Sequence, residues 1–266
     1  MAFIDPVSRF FHKHAGRHGP LMLMYHSVNR GKDVPDWPWA VSMQRFRDQL
    51  DFLVTEGYQT PTMEELAAAP RGTYQGRCAV ITFDDGYQDN LDACEELKKR
   101  GMRATWFIVS GSIGKAPSWP EDGRPAGRLL NASELRDMHH EGMEIGSHTA
   151  NHARLTTLDD MQMKDELVRS KADLETVLGN PVNSFAYPYG SWDARCVAAV
   201  EQAGYTAACT TRTGWALRDP SPFQLRRLTI FNTDTLSSFA RKLCFGNHEV
   251  SWRKIAAYAL RRKRNG

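Results

Sequence analysis

Short apolar runs broken by Gly and Pro alternate along this chain with longer stretches in which apolar residues recur every three or four positions. The first pattern is that of buried parallel strands and the second that of amphipathic helices. Residues 20–28 read as the opening strand, and 78–83, 103–109, 143–146, 182–187, 206–210 and 224–230 as those that follow. Helical spacing covers 43–56 (Phe46, Leu50, Leu53, Val54), 62–69, 90–100, 132–141, 158–178 and 193–202, and a last helix capped by Asp234 or Thr235 runs to 243. Thr62 with Glu65 has the spacing of a capping box, and Gly57, Gly101, Gly142 and Gly179 stand where helices should stop. In the long helix, Met161, Leu167, Leu174 and Leu178 are expected to face inward. Strand followed by helix, repeated without an internal linker, predicts a parallel sheet with helices outside that closes into a barrel. One domain over 20–250 is expected, flanked by segments 1–19 and 251–266.

Composition narrows the picture slightly. In 266 residues, 41% hydrophobic and 24% charged content is ordinary for a globular protein, and a net charge of +3 is too mild to argue for nucleic acid as a partner. The five cysteines have no metal-like spacing and read as reduced core residues. Charge distribution says more. Arg253, Lys254, Arg261, Arg262, Lys263 and Arg264 follow Trp252 with no acidic residue among them, and Phe3, Ile4, Val7, Phe10 and Phe11 recur at nearly helical spacing among Arg9, Lys13 and Arg17. Such ends suit peripheral contact with an anionic membrane surface, against the simpler reading of solvated termini. No run of signal-peptide or membrane-spanning type is present, so a cytoplasmic location is expected, at most peripheral at the inner face of the membrane. Oligomeric state is not legible.

Two stretches carry chemistry. The strand 78–83 delivers Asp84 and Asp85 where Gly86 breaks it, and a second stretch places His148 and His152 four apart. On a helical turn residues four apart share a face, so the two imidazoles can converge on one ion. An Asp from the strand end would complete a His, His, Asp set with an open position, the arrangement of catalytic zinc. Such a set accepts several first-row ions, so one divalent ion is expected, zinc first, with cobalt, nickel or manganese as alternatives. The loop 29–40 holds Trp37 and Trp39, and the long loop 111–130 holds Trp119, a candidate substrate wall.

Thr82-Phe83-Asp84-Asp85-Gly86, then His148-Thr149-Ala150-Asn151-His152, then Ala186-Tyr187-Pro188-Tyr189-Gly190 resemble, in order, the first three motifs of the polysaccharide deacetylases, the NodB-homology or carbohydrate esterase 4 group. The resemblance implies a distorted (β/α) barrel of about seven parallel strands, a divalent metal, and hydrolysis of the N-acetyl group of a sugar in a polysaccharide, oligosaccharide or lipid-linked glycan. It also implies Asp85, His148 and His152 as metal ligands, Asp84 as general base, and the backbone N–H of Tyr189 at the oxyanion. Tyr187 and Pro188 in the third motif, with Trp119, are the candidate substrate contacts.

Two departures stand out. The third motif often begins with Arg that orients the base, and here that position is Ala186; Arg226 or Arg227 could reach over instead. The family's later motif usually presents a His after a Leu, and that His is missing here, since Leu225 is followed by Arg226 and Arg227. His26, at the end of the first strand, is the substitute general acid, against the simpler reading of a buried His bonded to a carbonyl. Hydrolysis of a non-sugar amide on the same scaffold, and a carbohydrate-binding protein without catalysis, are the competing functions.

Overall fold

The structure, a computed structural model, describes residues 3–14, 19–70, 72–74, 76–120 and 123–253. Helix α1 (Pro6–His14) precedes β1 (Leu21–Tyr25), and β2 (Ser27–Asn29) and β3 (Ala40–Ser42) form a small parallel pair before α2 (Met43–Thr55) and α3 (Met63–Ala68). Then follow β4 (Ala79–Phe83), α4 (Asn90–Lys98), β5 (Thr105–Ile108), α5 (Ala132–His140), β6 (Glu144–Ser147) and α6 (Asp160–Leu178). The chain goes on through β7 (Ser184–Ala186), α7 (Ala194–Gln202), β8 (Ala207–Cys209), β9 (Leu228–Thr229) and α8 (Leu236–Phe245).

Seven of these strands form one sheet in the order β8-β7-β6-β5-β4-β1-β9, every pairing parallel. A single segment touches both of its edges. Leu225 bridges to Cys209 beyond β8, while Leu228 and Thr229 pair with Leu23 and Met24 of β1, so the sheet curls round into the expected distorted barrel. Side chains alternate across each strand. Leu21, Leu23, Tyr25, Ala79, Ile81 and Phe83 pack under the helices, whereas Met22, Val80, Phe107, Ala186 and Cys209 fill the interior. The same alternation carries Val80 and Thr82 to Asp84, and so turns Asp84 inward.

Local signals set most boundaries. Ser42, Thr62, Asn131, Asp159, Asp193 and Thr235 each cap a helix through the side chain, and Gly179 and Gly246 end α6 and α8 in the left-handed conformation. One expected core position is corrected. Because Asp159 caps α6 and the helix starts at Asp160, Met161 lies in the outward first turn and is 79% exposed, while Met163 joins Leu167, Leu174 and Leu178 inside. All five cysteines are buried and free. Among the described residues no helix is long and apolar enough to cross a membrane. Segment 1–19 contributes α1, packed on α8, and of segment 251–266 only 251–253 are described. The basic residues from Lys254 onward, and Arg17, lie outside the described residues.

Candidate active site

The site begins where β4 ends. Asp84 N–H continues the sheet by donating to the Tyr25 carbonyl at 3.0 Å, and the chain then turns through two left-handed residues, Asp85 (φ 74°) and Gly86 (φ 81°). Gly86 takes this conformation without the strain a side chain would bring, and a Cβ there would stand 2.8 Å from Ile108 Cδ1 of β5. The turn separates two adjacent carboxylates by role.

Asp84 is clamped by an arginine from the segment that closes the barrel. Arg227 Nη1 donates to Asp84 Oδ1 at 2.6 Å and Nη2 to Oδ2 at 2.8 Å, while Nε donates to the Thr210 carbonyl at 3.0 Å and Nη1 also reaches Thr82 Oγ1 at 3.2 Å. Arg227 is fully buried, over the Phe107 ring. Burial pushes the Asp84 carboxyl up, but Arg227 outweighs it and holds the group below the ordinary carboxylate range. Arg227 therefore occupies the place that Ala186 leaves without a cation. Arg226 points elsewhere and pairs with Asp219.

Asp85 faces the histidines. Its Oδ1 lies 3.3 Å from His152 Nε2 and 3.6 Å from His148 Nε2. His148 Nδ1 is 2.8 Å from the Ala186 carbonyl, which can only accept, so that nitrogen carries the proton and Nε2 presents its lone pair to Asp85. His152 Nδ1 is engaged by the Tyr189 hydroxyl at 3.0 Å. Burial pushes His148 down to about 4, so it is neutral at physiological pH. Burial pushes Asp85 up, but the His152 imidazole beside it, with His26 and His148, outweighs burial and leaves the carboxyl well below its usual range.

The expected helical turn between the histidines is absent. Residues 148–154 form a loop in which Thr149 (φ 64°) and His152 (φ 57°) are left-handed, and these turns, not a helix face, bring the rings together with centroids 5.0 Å apart. The loop is tied at several points. Ser110 and Gly111 N–H donate to the Thr149 and Ala150 carbonyls at 3.2 and 2.8 Å. From α6, buried Glu166 accepts from Asn151 N–H at 2.9 Å and Nδ2 at 2.5 Å.

These residues fit a divalent cation. One ligand atom each from Asp85, His148 and His152 lies within 4.8 Å of the others, all three side chains are buried, and buried Asp85 Oδ1 accepts no hydrogen bond among the described residues. An unsatisfied buried carboxylate oxygen is costly unless something positive meets it. Two imidazoles whose outer nitrogens are already held complete the donor set.

The rim holds the remaining candidates. His26 is half-buried at the end of β1, its ring edge-on to Trp37 (5.8 Å) and tilted against Trp39 (6.3 Å). Its Nδ1 is buried without a partner among the described residues, so the simple picture of a histidine bonded to a carbonyl does not hold at that nitrogen. His26 lies close enough for its charge to favour ionised Asp84 and Asp85. Tyr189, left-handed at φ 58°, is partly exposed, and the Arg154 guanidinium lies 4.3 Å from its ring centroid.

The other three candidates sit deeper. Tyr187 is fully buried, Pro188 is buried in the turn, and Trp119 is buried with its ring stacked on His152 at 4.4 Å. All three are buried, and of the three it is Trp119 whose ring meets the ligand loop.

Glu166 was not among the sequence candidates, although Asn151 within the motif was a signal that something must meet it. Glu166→Gln puts an amide N–H₂ against one of two donors of Asn151. Outer-shell losses of this kind lower metal affinity roughly tenfold or more, and competition against a coloured chelator should show it, with activity recovered at high metal. Unchanged affinity would reduce Glu166 to a packing residue.

Comparisons with known proteins give a consistent result. A model of the family described as polysaccharide deacetylase matches residues 71–208. The Bacillus subtilis protein YxkH is 32% identical over 212 residues, 79% of this chain and 70% of that protein. The peptidoglycan-N-acetylglucosamine deacetylase of Bacillus cereus is 25% identical over 62% of this chain and 56% of its own length. Among solved structures, a polysaccharide deacetylase from Bacillus cereus superposes with a TM-score of 0.71 at 27% identity, covering 84% of this chain and 68% of that one. Both His26 and Arg227 lie outside the span that the family model matches.

Proposed function

From the premise that this chain belongs to the polysaccharide deacetylase family, whose members are metal-dependent hydrolases, we propose that it removes the N-acetyl group from an N-acetylated sugar in a polysaccharide, oligosaccharide or lipid-linked glycan. The observation that carries this reading is the adjacent pair of carboxylates with separate partners. Asp84 is held by Arg227, while Asp85 converges with His148 and His152.

Asp85, His148 and His152 would hold a divalent ion, zinc first on the chemistry of that donor set, which when bound would supply Lewis acidity toward the acetyl carbonyl and lower the pKa of water toward ~7. Asp84 takes the proton of the attacking water as its oxygen bonds to the acetyl carbon. Arg227 keeps that carboxylate ionised and aimed into the barrel mouth. The backbone N–H of Tyr189 helps to hold the oxyanion. His26 gives a proton to the amine nitrogen as the C–N bond breaks, leaving acetate and a free amino sugar.

The test is acetate release from N-acetylglucosamine oligosaccharides by chelated protein, then by protein reloaded with zinc or cobalt, with His26→Ala beside it. Release should disappear on chelation, return on reloading and fall roughly a hundredfold in the His26 variant. Reloaded protein that binds metal and frees no acetate from any N-acetylated glycan would sink the proposal.

A further inference from the structure

Helix α1 is attached to the barrel by its polar side. Asp5 N–H donates to Ser237 Oγ at 2.9 Å, Ser8 Oγ receives Arg241 Nη1 at 2.6 Å, and His12 Nε2 meets the Tyr58 hydroxyl at 2.9 Å. Phe11 packs beside them on Phe245 and Trp252. The outer stripe is apolar instead. Phe3, Val7 and Phe10, spaced four and three apart, are 79%, 52% and 59% exposed, and Trp252, whose ring lies against Phe11, is 40% exposed. A helix on a globular surface normally has these faces the other way round.

The charges left over around the stripe are mainly cationic. Arg9 and Lys13 are exposed and make no ion pair among the described residues, whereas of the nearby carboxylates Asp5 is paired with Arg241, Asp51 with Arg100 and Glu56 with Arg77, and Asp48, which shares a cleft with Arg9, accepts from Gln44. From Trp252 the sequence continues to its last residue with six Lys and Arg and no Asp or Glu.

We propose that this face docks on a bilayer carrying anionic phospholipid, with Phe3, Val7, Phe10 and Trp252 entering the headgroup boundary and Arg9 and Lys13 meeting phosphates. Apolar insertion combined with cations at the headgroup level is the chemistry of an interfacial helix. A second copy of the chain fits less well, because a symmetric contact through this stripe would bring Arg9, Lys13 and Arg253 of both copies together. The proposal does not depend on the chemistry of the metal site.

The full chain should sediment with phosphatidylcholine vesicles containing phosphatidylglycerol, far less with phosphatidylcholine alone, and less again at high salt. Arg9→Ser with Lys13→Ser should weaken binding roughly thirtyfold, and Val7→Asp with Phe10→Asp should weaken it at least as much. Both double variants should keep the parent's melting temperature and acetate release from a soluble oligosaccharide, since neither touches the inner face of α1. Absence of binding at low salt would overturn the proposal. So would undiminished binding by Val7→Asp with Phe10→Asp, which would leave the cationic end of the chain as the sole cause. A dimer in solution that the same variant turns into monomer, with no vesicle binding by the parent, would assign the face to a second copy.

Discussion

Asp84→Asn is expected to lower kcat for acetate release by about a thousandfold while metal affinity stays within a small factor of the parent's. The two halves of that result test different statements. Asp84 stands outside the Asp85, His148 and His152 set, and both of its oxygens face Arg227, so neutralising it removes a proton acceptor without removing a ligand. Asn also turns an N–H₂ toward a guanidinium that has only donors, and a fully buried Arg227 then lacks its counter-charge. Some stability must be lost with the activity, so rates should be taken well below the melting temperature and set beside metal titration. Asp84→Glu keeps the charge and moves it by one methylene; it should fold better and still turn over poorly. Near-parent turnover by Asp84→Asn would remove Asp84 from the chemistry and shift the base to another group.

How much of this was legible in the chain follows from which interactions are local. Apolar runs and caps are local, and the order of the main sheet's strands and of the helices between them could be read from them, though the small β2–β3 pair could not; Thr62 with Glu65 closes the capping box its spacing advertised. The Asp and His motifs were also legible, since they combine rare residue types at strand ends. The geometry of the His loop was not. Left-handed Thr149 and His152 are held by Ser110, Gly111 and Glu166, contacts made across the fold, and neither residue type announces a positive φ. The choice between Arg226 and Arg227 was undecidable for a similar reason. It depends on the register of β9, a two-residue strand positioned by β1 on one side and by the Cys209–Leu225 bridge on the other. Met161 was misplaced because one residue of helix phase, set by the Asp159 cap, separates the outer face from the core.

Arg227→Met should damage both stability and rate, and its pH dependence should reveal why. In the parent, Arg227 holds the Asp84 carboxyl below its ordinary value despite burial. A depressed carboxylate contributes stability above its unfolded pKa of about 3.9, and that contribution is lost as pH falls through the folded value. Without Arg227 the same burial acts unopposed and pushes Asp84 up. At pH 7 the variant must either bury an unpaired carboxylate or bind a proton, a loss of about 3–5 kcal/mol by analogy with broken buried pairs. Urea melts should therefore show the gap between parent and variant widest at neutral pH and narrowing below about pH 4, where Asp84 is protonated in the unfolded chain of both. Catalysis should report the same group. The acidic limb of kcat/KM, set by ionisation of the base in the free enzyme, should move to higher pH, and the rate at neutral pH should fall by roughly a hundredfold or more. Arg227→Lys supplies charge without the fork that reaches both oxygens and the Thr210 carbonyl, so it should recover part of the stability and little of the rate. An acidic limb that stays in place in both variants, with only stability lost, would mean that Arg227 braces the barrel closure and does not tune the base.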